Sequence, residues 1–474
     1  MRQSLIVVQA IVVLLCSLQF SGLAQADAEK TSRKTHETTL KNGLKIIVRE
    51  DHRAPVVVSQ VWYKIGSSYE QAVTGISHAL EHMMFKGTPN HPAGEFSRII
   101  SKNGGRENAF TGRDYTAYFQ ILEKSRLPVS FELEADRMRH LTLDPEEFKK
   151  EIAVVREERR MRTEDDPQSL VFERFQATAF LNGPYHNPII GWMDDLHQMS
   201  VEQLRDWYLR WYAPNNATLV VAGDVKPRKV FKLAEQYFGD LPAYSPEQKK
   251  TASLPAIIRK ELPQNGQRRI IVKTPAKLPY LIMGYKTPVV KTAEIAWEPY
   301  ALEVMAGILN GGDSARIPKN LIRGQQIAAS ASAGYDMYDL HNNLFMFDGT
   351  PTQEHSIDEL EKALKEQIHD LQETPVSEDE LKRIKAQVIA AQVYQQDSAF
   401  YQAMQIGQME TIGLDWHELD NYVKQVRAIT ADQIQQVAKR YFTDDRLTVA
   451  ELFPLPLEGN TPHGHGGAAH GIMR

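Results

Sequence analysis

An internal repeat constrains the fold of this 474-residue chain more than any other feature of its sequence. Residues 200–222 contain a Ser-x-x-Gln helix-capping pattern, an aromatic pair and an apolar run, and residues 430–450 repeat that order with a Thr-x-x-Gln pattern. An Asn-Gly turn also precedes an apolar run at residue 42 and again at residue 265. These patterns predict the same helix and strand junctions in both halves. We therefore interpret the chain as two similar α+β units of about 200 residues, rather than as a chance likeness.

The stretch between the two units has the composition of a linker. Residues 242–267 contain four prolines and several lysines, and prolines in a polar run mark breaks between ordered segments. We expect an N-terminal domain over residues 27–242, a linker over 243–267 and a C-terminal domain over 268–455. Residues 456–474 form a Gly- and His-rich tail, in which His463, His465 and His470 offer weak metal binding as an alternative to simple solvation.

The first 26 residues have the pattern of a secretory signal peptide. Arg2 precedes an apolar run over residues 5–15, and residues 24–26 give the cleavage sequence Ala-Gln-Ala. That run is shorter than the ~20 apolar residues of a membrane span, so we expect removal of residues 1–26 rather than an N-terminal anchor. The single cysteine, Cys16, is lost with this segment. The predicted mature protein is exported, periplasmic or secreted, without disulfides, thiol catalysis or stable membrane insertion.

The charge balance argues against one class of partner. The chain has 55 basic and 60 acidic residues, which give a formal charge of −5. Binding to nucleic-acid phosphates usually requires a basic excess. We therefore expect no nucleic-acid partner.

Residues 78–82 have the sequence His-Ala-Leu-Glu-His, which is typical of a metal site. On a helix, positions i and i+4 lie one above the other, so His78 and His82 can bind one cation. Glu81 shares their face and is placed to accept a proton from water rather than to act as a third ligand. Two imidazoles and a carboxylate suit zinc. The alternative, an exposed polar face, is disfavoured because the neighbouring residues are apolar and buried histidines need partners.

A third ligand is expected on the helix predicted over residues 145–161. Glu151 and Glu158 are seven residues apart and lie on one face, with Val154 and Val155 between them, which predicts a buried face. Glu157 is rotated by about 100° from Glu158. Most charges of this segment fit a solvated helix with i,i+4 ion pairs. For Glu158 we favour the role of metal ligand.

The His78 motif and the residues after it resemble the inverted zinc motif of the pitrilysin-type, or inverzincin, metallopeptidases. The likeness is strongest for the branch that includes the mitochondrial processing peptidase and its bacterial relatives, and it spans about residues 37–455. The further segments that carry it are Asn-Ala-Phe-Thr at 108–111, Val-Val-Arg-Glu-Glu at 154–158, Ala-Pro-Asn-Asn-Ala-Thr at 213–218 and Gly-Asp at 223–224.

The resemblance implies a zinc-dependent endopeptidase that hydrolyses peptides or unfolded polypeptides. It assigns His78, His82 and Glu158 as the ligands of one Zn²⁺ per chain. It assigns Glu81 as the general base and Glu151 as the residue that orients a ligand histidine. The seven-residue spacing from Glu151 favours Glu158 over its neighbour in the sequence.

The resemblance also implies substrate contacts and an assembly. Asn108, Ala109 and Phe110 would line the substrate, and Arg323 fits an arginine that holds the substrate carbonyl. The implied fold is two homologous α+β domains, each a mainly antiparallel sheet with packed helices, that form half of a clamshell. The second half would be another copy of the chain or a related chain, so the resemblance implies a homodimer or a heterodimer.

One position departs from the family pattern. Members often carry a tyrosine that assists the arginine, and its place holds Ala329. Either another group stabilises the oxyanion or the activity is weakened. Ala329 is the one feature in favour of an alternative function, that of a non-catalytic peptide-binding or scaffold subunit of a heteromeric peptidase.

Overall fold

The computed structural model describes residues 34–244 and 260–457. The predicted signal peptide and most of the predicted linker and tail lie outside the described residues. The chain forms two mixed α+β halves, each built on one sheet, which confirms the predicted fold class. Every helix in the described ranges is too short or too polar to cross a lipid bilayer.

The N-terminal half is built on six strands, β1 (Thr35–Thr39), β2 (Lys45–Glu50), β3 (Val56–Tyr63), β4 (Arg106–Thr111), β5 (Thr116–Glu123) and β6 (Ala217–Gly223). Their order in the sheet is β1-β2-β6-β3-β5-β4. Strands β2 and β6 are parallel, and the other neighbours are antiparallel. Strand β4 therefore lies at one edge, where it pairs only with β5 among the described strands.

The described residues of this half also form eight α-helices: α1 (Ile76–Met83), α2 (Glu95–Lys102), α3 (Leu127–Arg139), α4 (Pro145–Arg159), α5 (Pro167–Ala179), α6 (Met193–Gln198), α7 (Val201–Trp211) and α8 (Pro227–Phe238). Short 3₁₀ turns lie at Ser67–Tyr69, Lys124–Arg126, Pro184–His186 and Pro214–Asn216. A π-helical turn, Arg160–Glu164, follows α4. The helix predicted over 145–161 therefore ends in a wider turn, a feature often found at functional sites.

The C-terminal half repeats this plan with five strands, β7 (Arg268–Pro275), β8 (Tyr280–Thr287), β9 (Ala328–Gly334), β10 (Asn343–Pro351) and β11 (Leu447–Leu455). Its helices are α9 (Glu298–Asn310), α10 (Ile357–Glu373), α11 (Glu378–Gln395), α12 (Ala399–Thr411), α13 (Glu418–Ala428) and α14 (Ala431–Tyr441). A π-helical turn lies at Pro318–Gly324 and a 3₁₀ turn at Asp444–Arg446. The strand order β7-β11-β8-β10-β9 matches β2-β6-β3-β5-β4 of the first half.

The two copies of the sequence repeat are the final strand of each half and the helix that precedes it. Ser200 and Gln203 form a capping box at the start of α7, and Thr430 and Gln433 form the same arrangement at the start of α14. In each case a short 3₁₀ turn leads into the final strand. The capped helix and strand predicted from the two segments are therefore present in both halves.

Each half covers the outer sheet face of the other with one helix. Helix α5 packs on the C-terminal sheet, and helix α12 packs on the N-terminal sheet. Two glycines show how close these contacts are. A Cβ added at Gly407 of α12 would lie 2.2 Å from the Trp62 ring, and a Cβ added at Gly284 of β8 would lie 2.7 Å from the Phe175 ring. The halves therefore complete each other's apolar cores and form one packed unit.

Candidate metal centre

Helix α1 is held by a carboxylate from the preceding loop. Its N-cap is Gly75, which has a φ of +79° and no side chain to cap the helix. Glu70 replaces that cap by accepting the backbone N–H groups of Gly75 at 2.6 Å and Ser77 at 2.8 Å. Burial raises the pKa of Glu70 to about 8, although both hydrogen bonds act in the opposite direction. Glu70 therefore fixes the start of the helix that carries the two histidines.

The structure brings three of the predicted side chains together. The Oε2 atom of Glu158, on α4, lies 3.4 Å from His82 Nε2 and 3.9 Å from His78 Nε2. A tetrahedral zinc site with bonds of about 2.0–2.2 Å places neighbouring ligand atoms roughly 3.3–3.6 Å apart. Among the described residues, these three form the one group of His, Cys, Asp or Glu side chains whose donor atoms could share a metal ion. The donor set fits zinc: the Glu158–His82 distance lies within this range, and the Glu158–His78 distance is slightly longer.

Glu151 orients His82. Its Oε1 atom lies 3.0 Å from His82 Nδ1, and its Oε2 atom accepts a hydrogen bond from Lys86 Nζ at 2.6 Å. Burial would raise the pKa of Glu151, but the hydrogen bonds with His82 and Lys86 outweigh it and lower the pKa. An ionised carboxylate can only accept, so the proton of the neutral imidazole lies on Nδ1. The Nε2 lone pair of His82 is thereby turned towards Glu158.

His78 is a buried imidazole that remains neutral. Burial lowers the pKa of His78 to about 3, and the neighbouring His82 and Arg162 side chains act in the same direction. Its Nδ1 atom is buried and has no hydrogen-bond partner among the described residues. A neutral imidazole keeps a lone pair for a cation, and it is the Nε2 atom of His78 that faces Glu158, which fits a metal at this site.

Glu81 lies beside the cluster and takes no part in it. Thr111 Oγ1, at the end of β4, donates a hydrogen bond to Glu81 Oε2 at 2.5 Å. Burial raises the pKa of Glu81, and Thr111 and His82 lower it to a smaller extent. A carboxylate with a raised pKa is a stronger base, which suits a group that must take a proton from water.

The burial of the helix face that carries Glu158 agrees only in part with the prediction. The buried stripe of α4 contains Ile152 and Val155, whereas Val154 is 50% exposed. The prediction that both valines are buried is therefore wrong for Val154. The side of the helix that carries Glu151 and Glu158 lies next to the buried side, and Val154 lies outside the buried side. Glu157 points to solvent and pairs with Arg160 at 2.9 Å. The geometry thus brings Glu158, and not Glu157, to the histidines.

The sequence interpretation missed several neighbours of the site. Arg162 Nη1, in the π-helical turn, lies 2.6 Å from Glu158 Oε1, which leaves Oε2 facing the histidines. The i,i+4 spacing of Glu158 and Arg162 could have signalled this pair. Lys86 and Thr111 had no comparable signal, because their partners Glu151 and Glu81 are distant in sequence.

The predicted substrate residues fall into two groups. Asn108, Ala109 and Phe110 lie on the edge strand β4, the same strand that ends at Thr111. Arg323 lies in the C-terminal half and donates to the carbonyl oxygen of Asp313. Within the described part of the chain, no hydrogen bond or ion pair joins Arg323 to the histidine cluster.

Comparison with known proteins identifies the family. The profile described as "Insulinase (Peptidase family M16)" matches residues 45–192, and the profile "Peptidase M16 inactive domain" matches residues 198–388. The zinc protease PqqE of Helicobacter pylori is 32% identical over 451 residues, covering 93% of this chain and 97% of that protein. This chain belongs to the M16 peptidase family. The resemblance to pitrilysin-type peptidases is thereby confirmed.

Other M16 relatives extend the likeness along the chain. The uncharacterised zinc protease YmxG of Bacillus subtilis is 27% identical over 425 residues, covering 90% of this chain and 98% of that protein. The crystal structure of a protease from H. pylori superposes with a TM-score of 0.83 at 30% identity, covering 89% of this chain and all of that one. The periplasmic protease PqqL of Escherichia coli shares the fold, with a TM-score of 0.73 at 19% identity over 89% of this chain and 47% of that chain.

Proposed function

We propose that this chain is a zinc-dependent endopeptidase that hydrolyses peptides or unfolded polypeptides. The observation that carries the proposal is the convergence of His78, His82 and Glu158, with Glu81 beside them. These are the elements that metal-assisted hydrolysis requires: a set of three ligands and a separate base. The names of the M16 relatives as zinc proteases support the same activity.

Each residue of the site has a distinct role in this proposal. His78, His82 and Glu158 hold one Zn²⁺, and Glu151 keeps His82 in the binding tautomer. Zinc, when bound, supplies Lewis-acid catalysis, which brings the pKa of a water molecule towards ~7. Glu81 takes the proton of the attacking water and passes it to the leaving amine.

The substrate is proposed to bind as an extended strand. The outer edge of β4 is unpaired among the described strands, and a peptide can add to such an edge through backbone hydrogen bonds. Asn108, Ala109 and Phe110 would then lie beside the peptide, next to Glu81. Because backbone bonds recognise an extended conformation, this arrangement selects short or unfolded substrates over folded ones.

The proposed protein has two domains, is exported and forms a dimer. We place a catalytic domain at residues 27–242, a linker at 243–267, an inactive-like domain at 268–455 and a tail at 456–474. The chain is exported to the periplasm or the medium after loss of residues 1–26. It assembles as a homodimer or with a related chain, and in either assembly Arg323 would act on the substrate carbonyl.

A second candidate is a non-catalytic peptide-binding subunit. Ala329 stands where M16 peptidases often have a tyrosine, and Arg323 has no described contact with the histidine cluster. A chain that lacks oxyanion stabilisation would bind peptides at β4 without cleaving them.

Hydrolysis of unstructured peptides by the purified chain distinguishes the two candidates. The assay uses one peptide sequence, free and embedded in a stable folded domain, with the chain alone and with a related partner chain. We expect cleavage of the free peptide, loss of cleavage with a chelator, and recovery when zinc is restored. Peptide binding without cleavage under all of these conditions would support the second candidate instead.

A further inference from the structure

The turn of the β4–β5 hairpin is tightly held by the loop that precedes α1. Backbone N–H groups of Ser67 and Ser68 donate to the carbonyl oxygens of Gly112 and Arg113 at 3.2 and 2.8 Å. The approach is so close that a Cβ at Gly66 would lie 2.5 Å from both carbonyl oxygens. The turn therefore has a fixed position relative to the loop that leads to the metal-binding helix.

Asp114, in the same turn, attaches the hairpin to the C-terminal half. Its side chain is buried, and Oδ1 accepts the hydroxyl of Ser68 at 2.8 Å. Its Oδ2 atom accepts the hydroxyl of Tyr185 at 2.5 Å and the backbone N–H of Leu340 at 3.1 Å. Leu340 lies between β9 and β10, so a segment of the C-terminal half completes the hydrogen bonding of this carboxylate.

Thr111 joins this anchored hairpin to the proposed general base. It is the last residue of β4, it pairs with Thr116 across the hairpin, and its hydroxyl donates to Glu81 Oε2. A single charge-assisted hydrogen bond from a rigid strand fixes the rotation of a carboxylate. Among the described residues, Thr111 is the one side chain that makes a hydrogen bond with Glu81.

We propose that Thr111 is a positioning residue for Glu81, and that the C-terminal half holds Thr111 in place through Asp114. The inference rests on the proposed function, since it assigns a role to the hairpin in that reaction. It gives the inactive-like half a task in catalysis: its Leu340 N–H closes the network that fixes the hairpin. A substrate strand paired with β4 would lie on the same strand that orients the base.

Two substitutions at one position test the first step. Thr111→Val keeps the shape of the side chain and removes the donor, whereas Thr111→Ser keeps the donor. We expect Thr111→Val to lower kcat by about 10- to 100-fold, a fraction of what a general base contributes, with KM and zinc content unchanged. Thr111→Ser should stay within about threefold of the wild type. Thr178→Val, at a partly buried threonine whose hydroxyl donates to the Arg174 carbonyl oxygen within its own helix, is the matched control.

Asp114→Asn tests the second step. The amide keeps the size of the side chain but can no longer accept from all three donors with both oxygens, which loosens the turn. We expect a fall in kcat smaller than that of Thr111→Val, again without loss of zinc. Wild-type kcat in Asp114→Asn would overturn the role of the C-terminal half.

Crystal structures of zinc-loaded wild type and Thr111→Val provide a readout that does not depend on turnover. We expect the Glu81 carboxylate to be rotated in Thr111→Val and unchanged in Thr111→Ser. An unmoved carboxylate, or equal kcat in Thr111→Val and wild type, would overturn the inference. If the wild type cleaves no peptide, the proposed function fails, and the Glu81 orientation alone then decides the role of Thr111.

Discussion

The sheets of the two halves share the same order over five strands, but the equivalent helices of the two halves have different roles. Helix α1 follows β3 and carries His78, Glu81 and His82, whereas α9 follows β8 and is almost entirely buried and apolar. Both helices occupy the same place in the topology. The fold therefore supplies a position, and the residues at that position decide whether it holds a metal site or a packed core.

The partner helices show the same contrast. In the N-terminal half, α4 presents Glu151 and Glu158 to His82. In the C-terminal half, α11 presents Ile384 and Val388 to Gly307 of α9, so closely that a Cβ at Gly307 would lie 2.9 Å from each. The histidine and carboxylate cluster that we propose as a zinc site is thus replaced by a tight apolar contact. The second half is specialised for packing.

The largest expected effect on the proposed zinc site of the N-terminal half is the loss of zinc affinity in Glu158→Gln. Glu158→Gln replaces one carboxylate oxygen with an NH2 group and removes the negative charge of a ligand. We therefore expect zinc binding to weaken by more than the roughly 10- to 100-fold cost of losing an outer partner. Glu157→Gln, one residue away and exposed, should leave zinc affinity unchanged. Competition with a chromophoric chelator measures both. If Glu157→Gln releases the metal and Glu158→Gln does not, the register of α4 is misassigned.

Glu151→Gln should have an intermediate effect. The amide can still meet His82 Nδ1, but it loses the charge that fixes the tautomer and pairs with Lys86. We expect zinc affinity to fall by roughly 10- to 100-fold, measured in the same competition assay. An effect as large as that of Glu158→Gln would mean that Glu151 is itself a ligand.

The smallest expected effect concerns the seam between the halves. Gly407→Ala places a methyl group against Trp62, and such overpacking costs about 1–3 kcal/mol. Gly334→Ala, where a Cβ meets open space, is the control. Urea unfolding should show one transition shifted to lower denaturant for Gly407→Ala. Two separate transitions would contradict the view that the halves form one cooperative unit.

The grouping of the candidate metal-site residues could be predicted from the sequence because these residues follow local helix periodicity. His78 and His82 share a face by their i,i+4 spacing, and Glu151 and Glu158 share one by their seven-residue spacing. The same periodicity could not decide how far Val154 is buried, since burial depends on what packs against the helix. The periodicity predicted that one side of α4 is buried, but it did not predict that Val154 lies outside that side.

Long-range contacts were not accessible in the same way. The bond from Thr111 to Glu81 spans 30 residues, and that from Leu340 to Asp114 spans 226. The exchange of α5 and α12 between the sheets also leaves no periodic signal, because an apolar helix face does not specify which sheet it covers. The repeat predicted two units, and the packing joins them into one.

The most direct test of the central claim is to measure zinc content and peptide hydrolysis together in Glu81→Gln. The central claim is that His78, His82 and Glu158 hold the metal while Glu81 moves the proton. Glu81→Gln should therefore retain one zinc per chain, as in the wild type, and lose hydrolysis by a factor of about 100 or more. Wild-type turnover in the zinc-loaded variant would contradict the account.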